Sequence, residues 1–359
     1  MIHIFNPDTE LTFEKNSLSF TPGKSIVNFI YSLALLPALY AEEGDSIILP
    51  DYDGHSPDPS SLPFYALCNL KKLEVIPFKS VAAVIRKGAG ENHKVSPWGW
   101  NKAIFHKLCR LGVPEYSLPD KNMIDRIRLL AHRSQTIKFF QQYGELFPQC
   151  PSPRMLTTLS ELKSVISEGN NVCLKSPWSS SGRGVVFSNS MEPERIMRWG
   201  DAIIRNQGGL MAEKVYPREK DFASEWIIKD GKAEFAGISL FKTSEKGKYS
   251  GNLLLPQNLI FEDLRKSTRW SDDILTIQRN FIDRNISPYY SGPVGIDMLS
   301  FSNGEINPCV EINIRRTMGH VALKVADTIY NPTDEKVRNE LLRLFPNDIF
   351  TIEPYSTFN

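Results

Sequence analysis

The stretch Gly292–His320, GPVGIDMLSFSNGEINPCVEINIRRTMGH, reads as two strands joined by a turn at Ser302-Asn303-Gly304. Asp297 lies on the first strand; Glu311 and Asn313 lie on the second. Residues two apart share a face, so Glu311 and Asn313 point the same way. The register decides whether Asp297 joins them. A two-residue Asn303-Gly304 turn pairs Asp297 with Val310 and sends it to the other face. A three-residue loop, Ser302–Gly304 with Gly304 left-handed, pairs Asp297 with Cys309. That leaves Asp297 diagonal to Glu311 on one face, roughly 7 Å away between backbones. The three-residue loop is the expectation. Two carboxylates so close repel unless a proton or a cation intervenes. Mg2+ suits them, since it takes oxygen ligands and is usually held by one or two carboxylates plus substrate phosphates; Mn2+ is the alternative. Arg315 and Arg316 follow at once, as groups that hold an anionic substrate or stabilise transferred phosphate. The competing reading is a charged, solvated hairpin.

Upstream, Asn171–Ser188 reads NVCLKSPWSSSGRGVVFS. A strand, Val172–Lys175, ends in a lysine. Ser179, Ser180, Ser181, Gly182, Arg183 and Gly184 follow, then a second strand, 185–188. Small residues let a backbone approach a ligand, and glycine permits positive φ. Serine hydroxyls and free N–H groups can cradle phosphate oxygens, with Lys175 and Arg183 adding charge-assisted contacts. The loop joins strand to strand, so it is neither a Walker A nor a Rossmann loop. Gly23-Lys24-Ser25 resembles the tail of a Walker A motif, but Leu18 stands where its first glycine belongs. A plain mobile hairpin is the bland alternative.

Between these two lies Gly209–Glu225, GLMAEKVYPREKDFASE. An apolar strand, Leu210–Ala212, meets Glu213, Lys214, Val215 and Tyr216. Alone this says little. Beside the other two stretches it reads as a hinge whose backbone contacts adenine, with Asp221 reaching a ribose hydroxyl.

Together these residues resemble the ATP-grasp superfamily, in order and spacing over about Arg133–Gly319. Lys175 and the Ser/Gly loop look like its phosphate-covering loop, and Glu213–Tyr216 like its adenine hinge. Asp297, Glu311 and Asn313 look like its metal triplet, and Arg315 like the basic residue that follows it. Arg133 falls where a phosphate-binding cation is expected, with Lys138 as the alternative. Asp221 stands where a glutamate is more usual. The resemblance implies an α/β and α+β fold: a small N-terminal parallel-sheet domain of the kind that precedes ATP-grasp, then the two-lobed ATP-grasp fold. The expected divisions are 1–120, 121–211 with the phosphate loop, and 212–359 with the metal site.

The N-terminal part supports this by rhythm. Strands at 1–5, 46–49 and 73–77 alternate with helices at 26–40 and 62–70, a β-α-β-α-β order that suggests a covered parallel sheet. Trp98-Gly99-Trp100 precedes a helix at 102–111; the tryptophans either line a cleft or plug a junction. From 122 a basic helix leads to Ser134, read as the N-cap of a helix over 135–143. Pro148, Pro151 and Pro153 mark a linker, and a helix over 160–167 follows. Further strands are expected at 223–228 and 233–241, and helices at 271–285 and 334–344.

Composition excludes other classes. The 359 residues are 41% hydrophobic and 23% charged, ordinary for a globular chain. Lys plus Arg is 42 and Asp plus Glu 41, for a net charge of +1, so no nucleic-acid or membrane partner is expected. The apolar stretch 26–41 is too short and too interrupted by Asn28 and Pro37 for a membrane span. It starts too late and lacks the cleavage site of a signal peptide. Five scattered cysteines without a C-x-x-C pair fit free thiols and a cytoplasmic location. Six dispersed histidines offer no zinc pattern. His320 either enters the site or merely starts a helix.

The resemblance implies an ATP- and Mg2+-dependent ligase that activates a carboxylate as an acyl phosphate for attack by an amine or other nucleophile. Its partners would be a small-molecule carboxylate and a nucleophilic acceptor, with the oligomeric state open. Lys175 and Arg133 would hold phosphates, the loop would close over ATP, and Arg315 would stabilise the transferring group. The alternatives are a nucleotide-binding scaffold without turnover, and a small-molecule kinase on the same site. Trp98, Trp100, Lys248 and Tyr249, with the 241–252 loop, are candidates for the acceptor pocket.

Overall fold

The computed structural model describes residues 1–52, 54–87, 94–169, 171–179, 184–243, 249–347 and 349–350. In chain order the first elements are β1 (Ile2–Ile4), α1 (Thr9–Lys15), α2 (Lys24–Ser32), β2 (Ser46–Leu49), α3 (Tyr65–Leu70), β3 (Glu74–Pro77), α4 (Val81–Lys87), β4 (Val95–Pro97), α5 (Lys102–Arg110) and α6 (Lys121–Leu130). The middle holds α7 (Ser134–Tyr143), β5 (Arg154–Leu156), α8 (Leu159–Ser167), β6 (Val172–Lys175), β7 (Val185–Phe187), α9 (Pro193–Gln207), β8 (Leu210–Lys214), β9 (Arg218–Lys229), β10 (Lys232–Thr243) and β11 (Tyr249–Leu253). The last are α10 (Gln257–Ser267), α11 (Asp273–Asn285), β12 (Gly292–Phe301), β13 (Ile306–Asn313), α12 (Met318–Tyr330), α13 (Glu335–Leu344) and β14 (Ile349–Phe350).

These elements form two compact units. One contains Met1–Arg128, Gly251–Pro256 and Arg315–Asn359; the other contains Leu129–Ser250 and Gln257–Ile314. The sequence reading divides the chain consecutively, at 120 and 211. The compact units instead return the last stretch of chain to the first.

The first unit is built on a parallel sheet of order β3-β2-β1-β4. Its strands are apolar on both sides because both faces are covered. Ile2, Ile4 and Ile48 pack on one side with Val81, Ile85, Ile104 and Leu108 from α4 and α5. Phe5, Ile47 and Leu49 pack on the other with Leu67 of α3 and Val321, Val325, Ile329 and Leu341 of α12 and α13. The apolar stretch 26–40 is not one helix. α2 ends at Ser32, and a separate 3-10 turn covers Leu36–Leu39. Pro37 explains the break: it has no N–H to donate, and its ring clashes with the carbonyl four residues back.

The second unit has two sheets. The smaller, β5-β8-β6-β7, is antiparallel. Leu156, Leu174 and Leu210 pack there on Leu162 and Val165 of α8 and Ile196 of α9. The larger places β13, β12, β9 and β10 side by side, all antiparallel. Its even-numbered β9 side chains, Phe222, Ser224 and Trp226, are buried with Gln278 and Phe281 of α11. Ser224 donates to Gln278 Oε1 at 2.8 Å and accepts from Trp226 Nε1 at 2.8 Å. Its odd-numbered side chains, Asp221, Ala223 and Glu225, share the opposite face with Asp297 and Glu311. α7 begins at Ser134, one residue earlier than the capping expectation; the Ser134 hydroxyl bonds His132 Nδ1 at 2.7 Å and makes no cap.

Candidate functional site

The hairpin of β12 and β13 closes as expected at one end and differently at the other. Phe301 and Glu305 flank a three-residue loop, with Gly304 N–H donating to the Phe301 carbonyl at 2.9 Å and Gly304 at φ 83°. Ser300 then pairs with Ile306 and Leu299 with Asn307. Continued, that register would pair Asp297 with Cys309. Instead it shifts, and Asp297 stands directly opposite Glu311. Pro308 is the cause. Having no N–H, proline within a sheet is confined to strand starts, edges and bulges, and β13 is an edge strand. The groups freed by the irregularity find other partners: Gln278 Nε2 donates to the Pro308 carbonyl at 2.8 Å, and Cys309 N–H donates to Asn307 Oδ1 at 3.0 Å.

The shift is by two residues, so face is preserved. Asp297 and Glu311 share a face, as expected, but as a direct pair and not a diagonal one. Directly opposed residues have Cβ atoms about 4.5–5.5 Å apart. Asn313 pairs with Gly295 and lies on that face too. The donor set is two carboxylates and one amide oxygen, all hard ligands, which suits Mg2+ better than a softer ion. No group of three or more His, Cys, Asp or Glu side chains gathers at metal-binding distance among the described residues. A site completed by substrate phosphates needs no such group.

Arg133 joins this hairpin to the phosphate loop. It is buried, 5% exposed, whereas the alternative Lys138 is exposed. Its Nη2 donates to both carboxylate oxygens of Glu311 at 2.9 Å. Its Nη1 donates to the Ser176 carbonyl and to Ser179 Oγ, the latter at 2.6 Å, and its backbone N–H donates to the Pro177 carbonyl at 3.2 Å. Nε has no partner among the described residues. One guanidinium thus ties the start of α7 to both the loop and β13.

The loop springs from the antiparallel pair β6 and β7, strand to strand as expected. Ser176 N–H donates to the Gly184 carbonyl at 2.8 Å and closes its base. Gly184 has φ 66°, and a Cβ there would sit 2.5 Å from Ser176 Oγ and 3.0 Å from Ser179 Cβ. Only glycine fits that turn. Ser180, Ser181, Gly182 and Arg183, expected as phosphate ligands, lie outside the described residues.

Lys175 ends β6, buried, in an ion pair with Glu213 of β8. Cys173 is opposite Glu213, so Lys175 lies on the same face one diagonal along. Burial by itself would lower the Lys175 ammonium, but the Glu213 carboxylate more than offsets this and holds it above the ordinary lysine value. The hinge residues are engaged within the unit. Val215 N–H donates to the Asn171 carbonyl at 3.3 Å. Tyr216 stacks on Phe301 with centroids 4.4 Å apart, and Lys214 Nζ lies 5.7 Å from the Tyr216 ring. Asp221, expected at a ribose, accepts from Arg218 at 3.0 Å and from Thr243 at 2.6 Å.

One carboxylate escapes the sequence reading. Glu225, 1% exposed, lies on the Asp297 face between Gly237 of β10 and Gly295 of β12, and accepts from Ser239 at 3.0 Å. Its spacing of four from Asp221, on a strand, was the available signal. Burial pushes the Tyr249 hydroxyl above its ordinary value, and the Glu225 charge adds to this. Lys248 lies outside the described residues.

The remaining candidates lie in the first unit. Arg315 pairs with Glu10, and its Nη1 donates to the Arg316 carbonyl at 3.0 Å. Trp98 is a core residue, 3% exposed, edge-on to Phe5 at 5.2 Å. Trp100 packs partly buried beside the α4–α5 core. His320 forms a capping box with Thr317 at the start of α12, which accounts for it structurally. The cysteines are all free, four of them buried. Among the described residues, no helix is long and apolar enough to cross a membrane.

No protein-family model and no curated protein matches the sequence. Solved structures do match. A biotin carboxylase from Campylobacter jejuni, solved as a β,γ-ATP complex, aligns over 95% of this chain and 70% of its own, at 10% identity and a TM-score of 0.51. An N5-carboxyaminoimidazole synthetase from Staphylococcus aureus with ADP covers 88% and 70%, at 14% identity and a TM-score of 0.48. An L-amino acid ligase from Bacillus licheniformis covers 91% and 69%, at 13% identity and a TM-score of 0.46. The chain has the ATP-grasp fold.

Proposed function

We propose that this chain is an ATP- and Mg2+-dependent ligase that activates a small-molecule carboxylate as an acyl phosphate and passes it to an amine. The observation that carries this reading is the direct Asp297–Glu311 pair, joined through Arg133 to the base of a glycine-tight loop. A structural hairpin has no need of two facing carboxylates. Phosphoryl transfer needs charge neutralisation and positioning, and these residues offer both. Asp297, Glu311 and Asn313 would hold Mg2+, with Mn2+ as a substitute. When bound, the ion would neutralise charge on the phosphates.

Lys175 and Arg133 would exchange Glu213 and Glu311 for phosphate oxygens. Ser179 and Gly184, with Ser180, Ser181, Gly182 and Arg183 between them, would cover the triphosphate and exclude water, protecting an acyl phosphate from hydrolysis. Glu213, Lys214, Val215 and Tyr216 would receive the adenine, Tyr216 by its ring plane, and Asp221 the ribose. Arg315 would hold the carboxylate or the transferring group. The unpaired thiols favour a reducing compartment, and we assign the chain to the cytoplasm.

The deciding experiment is calorimetry of Mg·ATP with the wild-type chain and Glu311→Ala. Wild-type binding, with loss of its Mg2+-dependent part in the variant, supports the reading and opens a screen of carboxylates and amines for ADP release. No binding by the wild type would reduce the likeness to one of fold. A stable phosphoester product would make the chain a kinase.

A further inference from the structure

The carboxyl edge of the parallel sheet carries a second cluster of charge. In the order β3-β2-β1-β4 the direction of winding reverses at β1, and in open α/β sheets ligands bind at such a switch point, beyond the carboxyl ends of the strands. Here the chain leaving β1 bears Asp8 and Glu10, and the chain leaving β4 bears Gly99. These two stretches and the segment bearing Arg315 are tightly joined. Asn6 Nδ2 donates to the Gly99 carbonyl at 2.8 Å, Thr9 Oγ1 donates to the Asn6 carbonyl at 2.9 Å, and a Cβ at Gly99 would lie 2.8 Å from Thr9 and 3.1 Å from Arg315 Cβ.

Glu10 is 8% exposed and pairs with Arg315 through Oε1 alone; its Oε2 is buried with no hydrogen-bond partner. Leaving a charged acceptor buried and unmet is costly unless something else meets it. Asp8 stands at the N-cap position of α1 yet makes no capping bond. Its side chain is partly exposed. Burial pushes the Asp8 carboxyl up to about 6, and the Glu10 charge beside it adds to this. The cation nearby on α5 is otherwise occupied: Lys107 Nζ donates to the Asp51 carbonyl at 2.8 Å and lies 4.0 Å from the Phe78 ring centroid.

We propose that Asp8 and Glu10, beside Arg315, form a binding site for a primary ammonium group at the carboxyl ends of β1 and β4. Asp8 and Glu10 share one close guanidinium, and Lys107, whose charge also reaches Asp8, bonds a backbone carbonyl instead. It is the unmet carboxylate oxygens, and no large net charge, that suit a monocation over a divalent ion. A divalent ion would face Arg315 at close range and would lack the full set of oxygen ligands it prefers. An ammonium has three N–H donors, enough for Glu10 Oε2, the Asp8 carboxylate and one carbonyl. Identifying this group with the ligase's amine substrate rests on the proposed function; the site itself does not.

Saturation-transfer NMR on the full chain tests it, with ethanolamine, glycinamide and putrescine as probes and N-acetylethanolamine as the control. The amines are expected to bind and the acetylated control not to. Asp8→Asn is expected to weaken amine binding about tenfold or more, roughly one step of 1.4 kcal/mol, while Mg·ATP affinity stays within about twofold of wild type. Glu10→Gln should do the same; should it fail to fold by circular dichroism, Asp8→Asn carries the test. The site is refuted by absence of amine binding, by equal binding of the acetylated control, by amine binding indifferent to Asp8→Asn, or by displacement of the amines by Mn2+ alone. Amine binding in a chain that does not bind Mg·ATP would keep this site and remove the ligase reading.

Discussion

Arg133 donates to both carboxylate oxygens of Glu311, at 2.9 Å each. The residue expected to hold phosphate therefore occupies the residue expected to hold metal. A free divalent ion must displace a guanidinium to reach Glu311, whereas a triphosphate offers Arg133 another anion at the same moment. Metal and nucleotide should bind together far better than the metal alone.

The first prediction follows from that pair. Free Mn2+, counted by electron paramagnetic resonance, should bind the wild-type chain weakly. Arg133→Met should raise that affinity about tenfold, a change of ~1.4 kcal/mol, and lower the affinity for ATP. Unchanged Mn2+ binding in the variant would show that the pair does not guard Glu311. Because Glu311 keeps some exposure, its unpaired charge should cost less than the ~3–5 kcal/mol of a fully buried one.

The register of the β12–β13 hairpin depends on Gln278, fully buried and bonded to the Pro308 carbonyl and to Ser224. Gln278→Leu keeps much of the volume but strands both partners. A loss of about 1–3 kcal/mol in urea unfolding is expected for each stranded group that stays dry. A neutral result would mean that the irregularity at Pro308 does not need this support.

Gly99 has no room for a methyl group. Gly99→Ala would press Thr9 and the root of Arg315, for a cost of about 1–3 kcal/mol typical of overpacking. Thermal unfolding of the variant checks this. A Tm equal to wild type would contradict the close approach.

Asp8 predicts a pH signature. Its carboxyl titrates at about 6 in the folded chain, above the ordinary 3.8. The folded state then binds more protons than the unfolded state between those values, so stability falls as pH rises from about 4 to 6. Above that window Asp8 is a net burden of up to about 3 kcal/mol, reduced by its partial exposure. Asp8→Asn should therefore raise Tm at pH 7.5 and have little effect at pH 4. The reverse pattern would place Asp8 in a stabilising ion pair.

Sequence alone determined several local elements and which side chains share a strand face. Period-2 alternation put Glu311 and Asn313 on one face, the loop composition placed Gly304 in a left-handed turn, and serines and glycines between two strands marked a strand-to-strand loop. Those are properties of neighbouring residues, fixed by backbone geometry over a few positions. The tertiary structure decided what neighbours cannot. Pro308 broke the expected register, the freed groups were met by Gln278 and Asn307, and that made Asp297 and Glu311 a direct pair. The partners of Arg133, Lys175 and Arg315 are 178, 38 and 305 positions away along the chain. That the apolar stripe of α12 covers the sheet at the other end of the chain is decided by which exposed apolar face was left to bury.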